Sequence, residues 1–286
     1  MQRIDDLLRS GSTLSFEFFP PKTDDGREAF ETAFGDLAEL SPSFSSVTYG
    51  ALGSTREQTQ EIVTGLNREH AFPTMPHLTA IGHSRSELVD LVTSYRNAGV
   101  RNILALAGDP PADGTDAGDF VYADELIALI REIGDFAVGV AAFPELHPRS
   151  ATREEDRERL AAKLELADFG MTQFFFDAQH YSELVDDVEA LGVRTPMIPG
   201  VMPFVSVAGT RRMAAMNGSA IPDALSARMD EVDGDPDATR ALGIDVAVEL
   251  SQELLGMGVP GLHLYTMNRA ASVREVTDRL GLRTPA

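Results

Sequence analysis

Glu17 stands between Phe16 and Phe18-Phe19. An acid among phenylalanines is a candidate proton donor, because desolvation disfavours the charged carboxylate. Asp109 follows the apolar run Ile103 to Ala107 and Gly108, and Pro110-Pro111 comes next. That run reads as a parallel strand buried on both faces, which places the Asp109 carboxylate at its carboxyl end. A turn aspartate is the structural alternative. Other apolar runs end in the same way, at Thr48, His77, Glu145 with His147, Gln173 with Asp177, and Tyr265 with Asn268 and Arg269.

Two kinds of chemistry use such a set. His77, His147 and Glu145 are of types that ligate a metal in a barrel hydrolase. Such hydrolases commonly bring a His-x-His pair from the first strand, where this chain has Phe16-Glu17-Phe18. Lone histidines also donate hydrogen bonds more often than they bind metal, so the expected metal count is none. The other chemistry is acid catalysis by Glu17 and Asp109 on an organic ligand held by the polar ring. A Gly-rich phosphate site after the last two strands is missing, which argues against sugar-phosphate or FMN chemistry of the usual barrel kind.

The elements that must position these residues alternate strand and helix. Strands are expected over Leu14 to Phe19, Phe44 to Tyr49, Pro76 to Thr79, Ile103 to Ala107, Ala137 to Phe143, Met171 to Phe176, Pro196 to Met202 and Gly261 to Met267. Pro199-Gly200 is expected to break the seventh. Helical spacing follows each, over Arg27 to Leu40, Thr55 to Asn67, Ser84 to Ala98, Tyr122 to Ile133, Arg153 to Ala167, His180 to Leu191, Ala238 to Met257 and Ala270 to Leu280. Ser84 with Glu87 has capping-box spacing. The start, Met1 to Ser10, and the stretch Asn217 to Thr239 read as polar connections. Eight alternations predict an α/β fold, a single-domain eight-stranded parallel β/α (TIM) barrel. A doubly wound sheet would bring a Gly-rich G-x-G-x-x-G or Walker turn, and the chain has neither.

Composition narrows the partners. The 286 residues carry a net charge of −21 and include no Cys. That charge argues against nucleic acid and anionic membranes, both of which need a basic face. Disulfides, thiolate metal sites and a Cys nucleophile are excluded. Without an apolar run of spanning length, the chain is expected to be cytoplasmic and to act on small molecules. Anionic ligands would have to meet local arginines that overcome the acidic field.

Beyond these patterns, the segments Ser15-Phe16-Glu17-Phe18-Phe19-Pro20-Pro21-Lys22, Ser46-Val47-Thr48-Tyr49-Gly50-Ala51, Pro76-His77-Leu78-Thr79, Gly108-Asp109, Pro144-Glu145-Leu146-His147-Pro148, Thr172-Gln173-Phe174-Phe175-Phe176-Asp177, Ile198-Pro199-Gly200 and Tyr265-Thr266-Met267-Asn268-Arg269-Ala270 resemble the methylenetetrahydrofolate reductases, in order and spacing. The resemblance implies reduction of 5,10-methylenetetrahydrofolate to 5-methyltetrahydrofolate. Glu17 matches the acid that protonates the bridging nitrogen and opens the five-membered ring to an iminium cation. Asp109 matches the residue that holds the pterin and places negative charge near that cation. Gln173, Tyr265 and Arg269 match folate contacts. Thr48, His77, His147, Asp156 and Lys163 match positions on the side of the dinucleotide or flavin. The eukaryotic regulatory domain is not expected.

Departures from the family pattern fall on the flavin side. Members that carry FAD usually have Arg where this chain has Ala107 and Tyr where it has Phe143. Their fifth-helix stripe of Asp, Asn, Arg and Lys is here Asp156, Arg159, Ala162 and Lys163. An aromatic residue that stacks on nicotinamide or folate is here Met213. Arginine is suited to bidentate diphosphate contact, so its loss predicts a flavin-free member that passes hydride from NADH (or NADPH) directly to the iminium. An ordinary FAD enzyme and a non-catalytic folate-binding relative are the alternatives.

Overall fold

The computed structural model describes residues 1–49, 56–108 and 118–282. Eight parallel strands form a closed barrel in sequence order, β1 (Thr13–Phe18), β2 (Phe44–Val47), β3 (Thr74–Thr79), β4 (Asn102–Leu106), β5 (Ala137–Ala142), β6 (Phe169–Phe174), β7 (Met197–Val201) and β8 (Gly261–Tyr265). β1 pairs with both β2 and β8, which closes the ring. The expected barrel is therefore the observed one.

Helices cover the outside: α2 (Asp24–Ala38), α3 (Arg56–Glu69), α4 (Arg85–Asn97), α5 (Ala123–Ile133), α6 (Arg153–Leu166), α7 (Ala178–Ala190), α10 (Pro236–Gly256) and α11 (Ala270–Leu280). The Ser84–Glu87 capping box starts α4 as its spacing predicts. Strand side chains alternate between faces, and the faces carry different chemistry. Outward residues such as Leu14, Phe16 and Phe18 pack on the helices, with Phe18 against Phe30 and Phe34 at ring-centroid distances of 5.7 and 4.9 Å. The partners of β1 on the inward face are Thr13, Ser15 and Glu17.

Three elements differ from the sequence expectation. Met1 to Ser10 contains a helix, α1 (Ile4–Ser10), that plugs the amino end of the barrel. Ile4 and Leu8 join Phe44, Met75, Leu104, Phe169 and Ile198 in the barrel's interior core. Asn102 holds the plug by accepting from the Ile4 amide at 2.7 Å and donating to the Gln2 carbonyl at 3.0 Å. With its polar majority paired (Asp5 to Arg3 and Arg9), this short segment buries too few apolar residues to show a helical period. A helix that the spacing did not announce, α8 (Val207–Asn217), follows β7, and the polar stretch Asn217 to Thr239 contains α9 (Asp223–Val232). Their apolar residues, among them Ala214, Leu225 and Met229, join Phe174, Met202 and Phe204 in a separate cluster at the carboxyl end.

β7 runs through Pro199-Gly200 instead of breaking there. Between Met171 and Phe174 the β6–β7 register shifts, and the Gly200 amide donates to the Thr172 hydroxyl at 2.8 Å. A side chain thus replaces the ladder acceptor. Gly200 is required for contact reasons: a Cβ there would lie 2.6 Å from the Tyr265 ring and 2.5 Å from the Thr172 carbonyl oxygen.

Candidate active site

The inward positions nearest the carboxyl ends of the strands enclose a cavity of about 270 Å³. Glu17, His77, Thr48, Gln173 and Tyr265 line it, together with Met171, Met202, Met213, Met216 and Met267. A larger groove of about 490 Å³ lies outside the barrel near α2 and the start of α11, with Asp25, Glu28 and Asp36 on its walls. Those carboxylates oppose an anionic ligand, and the strand-end cavity is the site that barrel enzymes use.

Glu17 is 5% exposed and faces inward from β1. The phenylalanines beside it in sequence point the other way, so its real neighbours come from other strands. One carboxylate oxygen, Oε2, lies 3.3 Å from His263 Nε2 and 3.5 Å from His77 Nε2. His263, from β8, is fully buried and its Nδ1 is 2.8 Å from the Ser15 hydroxyl. The Glu17 main-chain carbonyl accepts from the Thr266 hydroxyl and from its amide at 3.1 Å, which ties β1 to the β8 loop. Asn268 and Phe19 exchange two more bonds, at 2.9 and 2.8 Å. Met267 and Asn268 adopt left-handed backbone, at φ of 51° and 54°, uncommon for residues other than glycine. This strained turn sets Met267 against the cavity.

His77 is 7% exposed, and its Nε2 has no hydrogen-bond partner among the described residues. Burial lowers its pKa, with the Glu17 charge opposing, so the ring is kept neutral. A buried polar atom without a partner at a cavity wall is a position for a ligand to fill. Across the cavity, the Tyr265 phenol donates to the Thr172 carbonyl at 2.9 Å. Burial, reinforced by the Glu17 charge, holds its pKa well above the ordinary value, so it stays a donor. Gln173 accepts at Oε1 from Asn217 at 3.2 Å. Its amide nitrogen makes no hydrogen bond among the described residues.

The other residues singled out in the sequence lie elsewhere. Asp109 falls outside the described residues. Arg269 is exposed at the start of α11, beyond the cavity lining. Asp177 caps α7 through the Gln179 amide at 2.9 Å, and Asn268 is the clamp on Phe19 already described. Glu145 accepts from the Ala220 amide at 2.7 Å and lies 3.7 Å from His180. Burial raises its pKa against the pull of that amide. His147 sets its ring edge-on to Phe143 at 4.4 Å, and its Nδ1 accepts from the Arg149 amide.

Asp156 is buried with its carboxylate occupied. It accepts from Ser150 at 2.8 Å, Arg157 at 2.7 Å and the His147 amide at 3.3 Å. Arg157, 3% exposed, also donates to the Phe143, Pro144 and Glu145 carbonyls at 3.1, 2.6 and 2.9 Å. Lys163 turns back on the Ala141 carbonyl at 3.3 Å, and burial lowers its pKa although Asp156 opposes the shift. Arg159 is exposed and paired with Glu155 at 2.6 Å, and Ala162 is exposed.

Sequence reading missed His263, Ser15 and Arg157. His263 carried a signal: it shares the inward parity of Gly261 and Tyr265 along β8. Arg157 carried none, since one more Arg in a charged helix looks solvated. Among the described residues no His, Cys, Asp and Glu side chains group to hold a metal ion. None of the described helices is long and apolar enough to cross a membrane.

An acid, a neutral imidazole and polar contacts at the mouth of an eight-stranded β/α barrel define an enzyme that acts on a small organic substrate. The family model for methylenetetrahydrofolate reductase matches residues 3–281, and the chain belongs to that family of oxidoreductases. It is 34% identical over 277 residues to 5,10-methylenetetrahydrofolate reductase of Pectobacterium carotovorum subsp. carotovorum, covering 96% of this chain and 92% of the relative. Identity to the Escherichia coli K12 enzyme of that name is 34%, over 94% of this chain and 91% of the relative. Methylenetetrahydrofolate reductase (NADH) 1 of Arabidopsis thaliana is 35% identical over 99% of this chain and 50% of its own length. In structure, the fold is similar to a Clostridium thermocellum protein described as binding two copies of 5-methyl-5,6,7,8-tetrahydrofolic acid. The TM-score is 0.68 at 14% identity, over 98% of this chain and 99% of that one.

Proposed function

We propose that this chain reduces 5,10-methylenetetrahydrofolate to 5-methyltetrahydrofolate with hydride taken directly from NADH, without a bound flavin. The observation that carries this reading is the contrast between the cavity's two sides. Glu17, His77, Gln173 and Tyr265 face the cavity with hydrogen-bonding capacity left, whereas Asp156, Arg159 and Lys163 are engaged with the protein itself.

FAD does not fit the second set. The Asp156 oxygens are filled by Ser150, Arg157 and the His147 amide, Arg159 is closed on Glu155, and positions 107 and 162 are alanines. In this reading His147, Asp156 and Lys163 build the wall beneath the nicotinamide side, while Thr48 and His77 meet the ligand. That several plant relatives carry NADH in their names supports NADH as donor.

Glu17 gives its proton to the bridging nitrogen as the carbon–nitrogen bond breaks, which leaves an iminium at the other nitrogen and a carboxylate below it. Asp109 adds negative charge that stabilises the cation. Gln173 and Tyr265 orient the pterin, and the thioether of Met213 packs on the ring faces where an aromatic residue is absent. Arg269, at the rim, faces the carboxylates of the glutamate tail. The nicotinamide supplies the hydride that converts the iminium carbon to a methyl group. For that, donor and acceptor carbons must lie about 3–3.5 Å apart in one cavity.

The visible absorption spectrum of the purified protein tests the flavin claim: it should be colourless and active without added FAD. Deuterium on the transferring face of NADH should reach the product methyl group undiluted in ordinary water, with sequential kinetics. A yellow protein that loses activity when stripped, or label washed into solvent, overturns direct transfer. Folate binding without turnover overturns the enzyme reading.

A further inference from the structure

Glu17 has two carboxyl oxygens, and an acid catalyst must carry its proton on the one that faces the substrate. We infer that His263 is a positioning residue which decides this: oriented by Ser15, it donates Nε2–H to Glu17 Oε2 and leaves the acid proton on Oε1. The inference rests on the proposed role of Glu17 as the ring-opening acid.

The tautomer is inferred from the lengths of the contacts. The Ser15 hydroxyl has one hydrogen and two acceptors in reach, His263 Nδ1 at 2.8 Å and the Leu262 carbonyl at 3.3 Å. The reverse arrangement, with Nδ1–H donating to Oγ and the hydroxyl turned to Leu262, would leave a bare Nε2 against Glu17; we take the shorter contact as the one that holds the hydroxyl hydrogen, its length being that of a hydroxyl bond. Nδ1 is then an acceptor, and the ring's single N–H sits on Nε2. At 3.3 Å from Oε2, that N–H makes a long bond of the kind that tightens as charge develops on the carboxylate. Ser46 Oγ, at 3.5 Å, is a longer and weaker second partner of Nε2.

Packing fixes the ring plane. The imidazole stacks on Phe44 at 6.2 Å with planes 11° apart and meets Tyr265 edge-on at 5.6 Å. The titratable groups around Glu17 and His263 are His77 from β3 and Tyr265 from β8. The first is held neutral and the second protonated by burial. Among the described residues, neither neighbour therefore brings a charge that would draw the proton away from the acid. His77, the other ring near Oε2, is left to meet the ligand. The role needs a specific nitrogen, which a histidine filling the barrel interior for bulk alone would not.

Imidazole ¹⁵N spectra of the labelled full-length protein read the tautomer directly. His263, assigned by its loss in His263→Phe, should show Nε2 protonated and Nδ1 bare, and Ser15→Ala should mix or reverse the pattern. Turnover should follow. Ser15→Ala should lower kcat about 10-fold, the equivalent of one lost hydrogen bond, with folate KM within about 2-fold. His263→Phe should lower it further, and His263→Gln, whose amide keeps a donor, should recover part of the loss. A protonated Nδ1 or an imidazolium in the wild-type protein overturns the inference. So does an unchanged kcat in Ser15→Ala and His263→Phe variants that melt like wild type. If Glu17→Gln remains active, the acid role itself fails. If Glu17→Gln is dead while the Ser15 and His263 variants turn over normally, only the present inference fails.

Discussion

The two sides of the barrel mouth use similar residue types for opposite ends. On the β8–β1–β3 side, Glu17 and His77 are buried and Tyr265 is partly buried, yet all three keep atoms aimed at the cavity. On the β5–α6 side, Asp156 and Arg157 are as polar, but their atoms are consumed by the protein, Asp156 by Ser150 and Arg157, and Arg157 by loop carbonyls; Lys163 turns one donor back on the Ala141 carbonyl. A polar side chain at a strand end is therefore no guide to ligand contact. What counts is whether its hydrogen-bonding capacity is already spent.

The largest effect should come from the first side. Glu17→Gln keeps size and hydrogen bonding but removes the proton, so folate reduction should fall about 10³-fold or more while folate affinity and melting temperature stay close to wild type. Steady-state kinetics with equilibrium binding check this, and turnover within a few-fold of wild type would erase the contrast between the sides.

On the second side, removal should cost stability rather than chemistry. Arg157→Ala leaves Asp156 buried without its guanidinium, a loss of about 3–5 kcal/mol, or about 10²- to 5 × 10³-fold in the folding equilibrium. Denaturant unfolding measures it. The kcat per folded molecule should stay within a few-fold. A fall in kcat without loss of stability would move this network into the active site.

Asp109→Asn should lower kcat about 10²-fold with a smaller change in folate KM, because the amide keeps hydrogen bonding and loses charge. An unaltered kcat would make Asp109 a turn residue.

The smallest effect is a pH slope. Burial keeps folded His77 neutral at pH values where the unfolded ring, with its ordinary value of 6.5, takes up a proton. The folded state then binds fewer protons, so stability should fall as pH drops below about 6.5, by at most about 1.4 kcal/mol per pH unit, with no slope from this group above it. His77→Gln should flatten that part of the stability curve. An equally steep curve in the variant would trace the slope to other groups.

The sequence by itself determined the barrel. Apolar runs and helical spacing alternate along the chain, and each strand and its helix bury apolar residues wherever they pack, so the pattern survives without knowing any partner. It also singled out Glu17, His77, Gln173 and Tyr265, because a polar residue interrupting an apolar strand is visible one residue at a time. Tertiary structure decided the rest. Phe16 and Phe18 are adjacent to Glu17 in the chain but lie on the opposite face of β1, so its environment comes from His263, 246 residues away. The α1 plug, α8 and α9 stayed hidden because each buries few apolar residues, and those are matched to surfaces built by distant strands. Whether Asp156 binds a ligand or Arg157 depended on which donors the fold brings within 3 Å, and hydrogen-bond partners across a barrel leave no periodic trace in the chain.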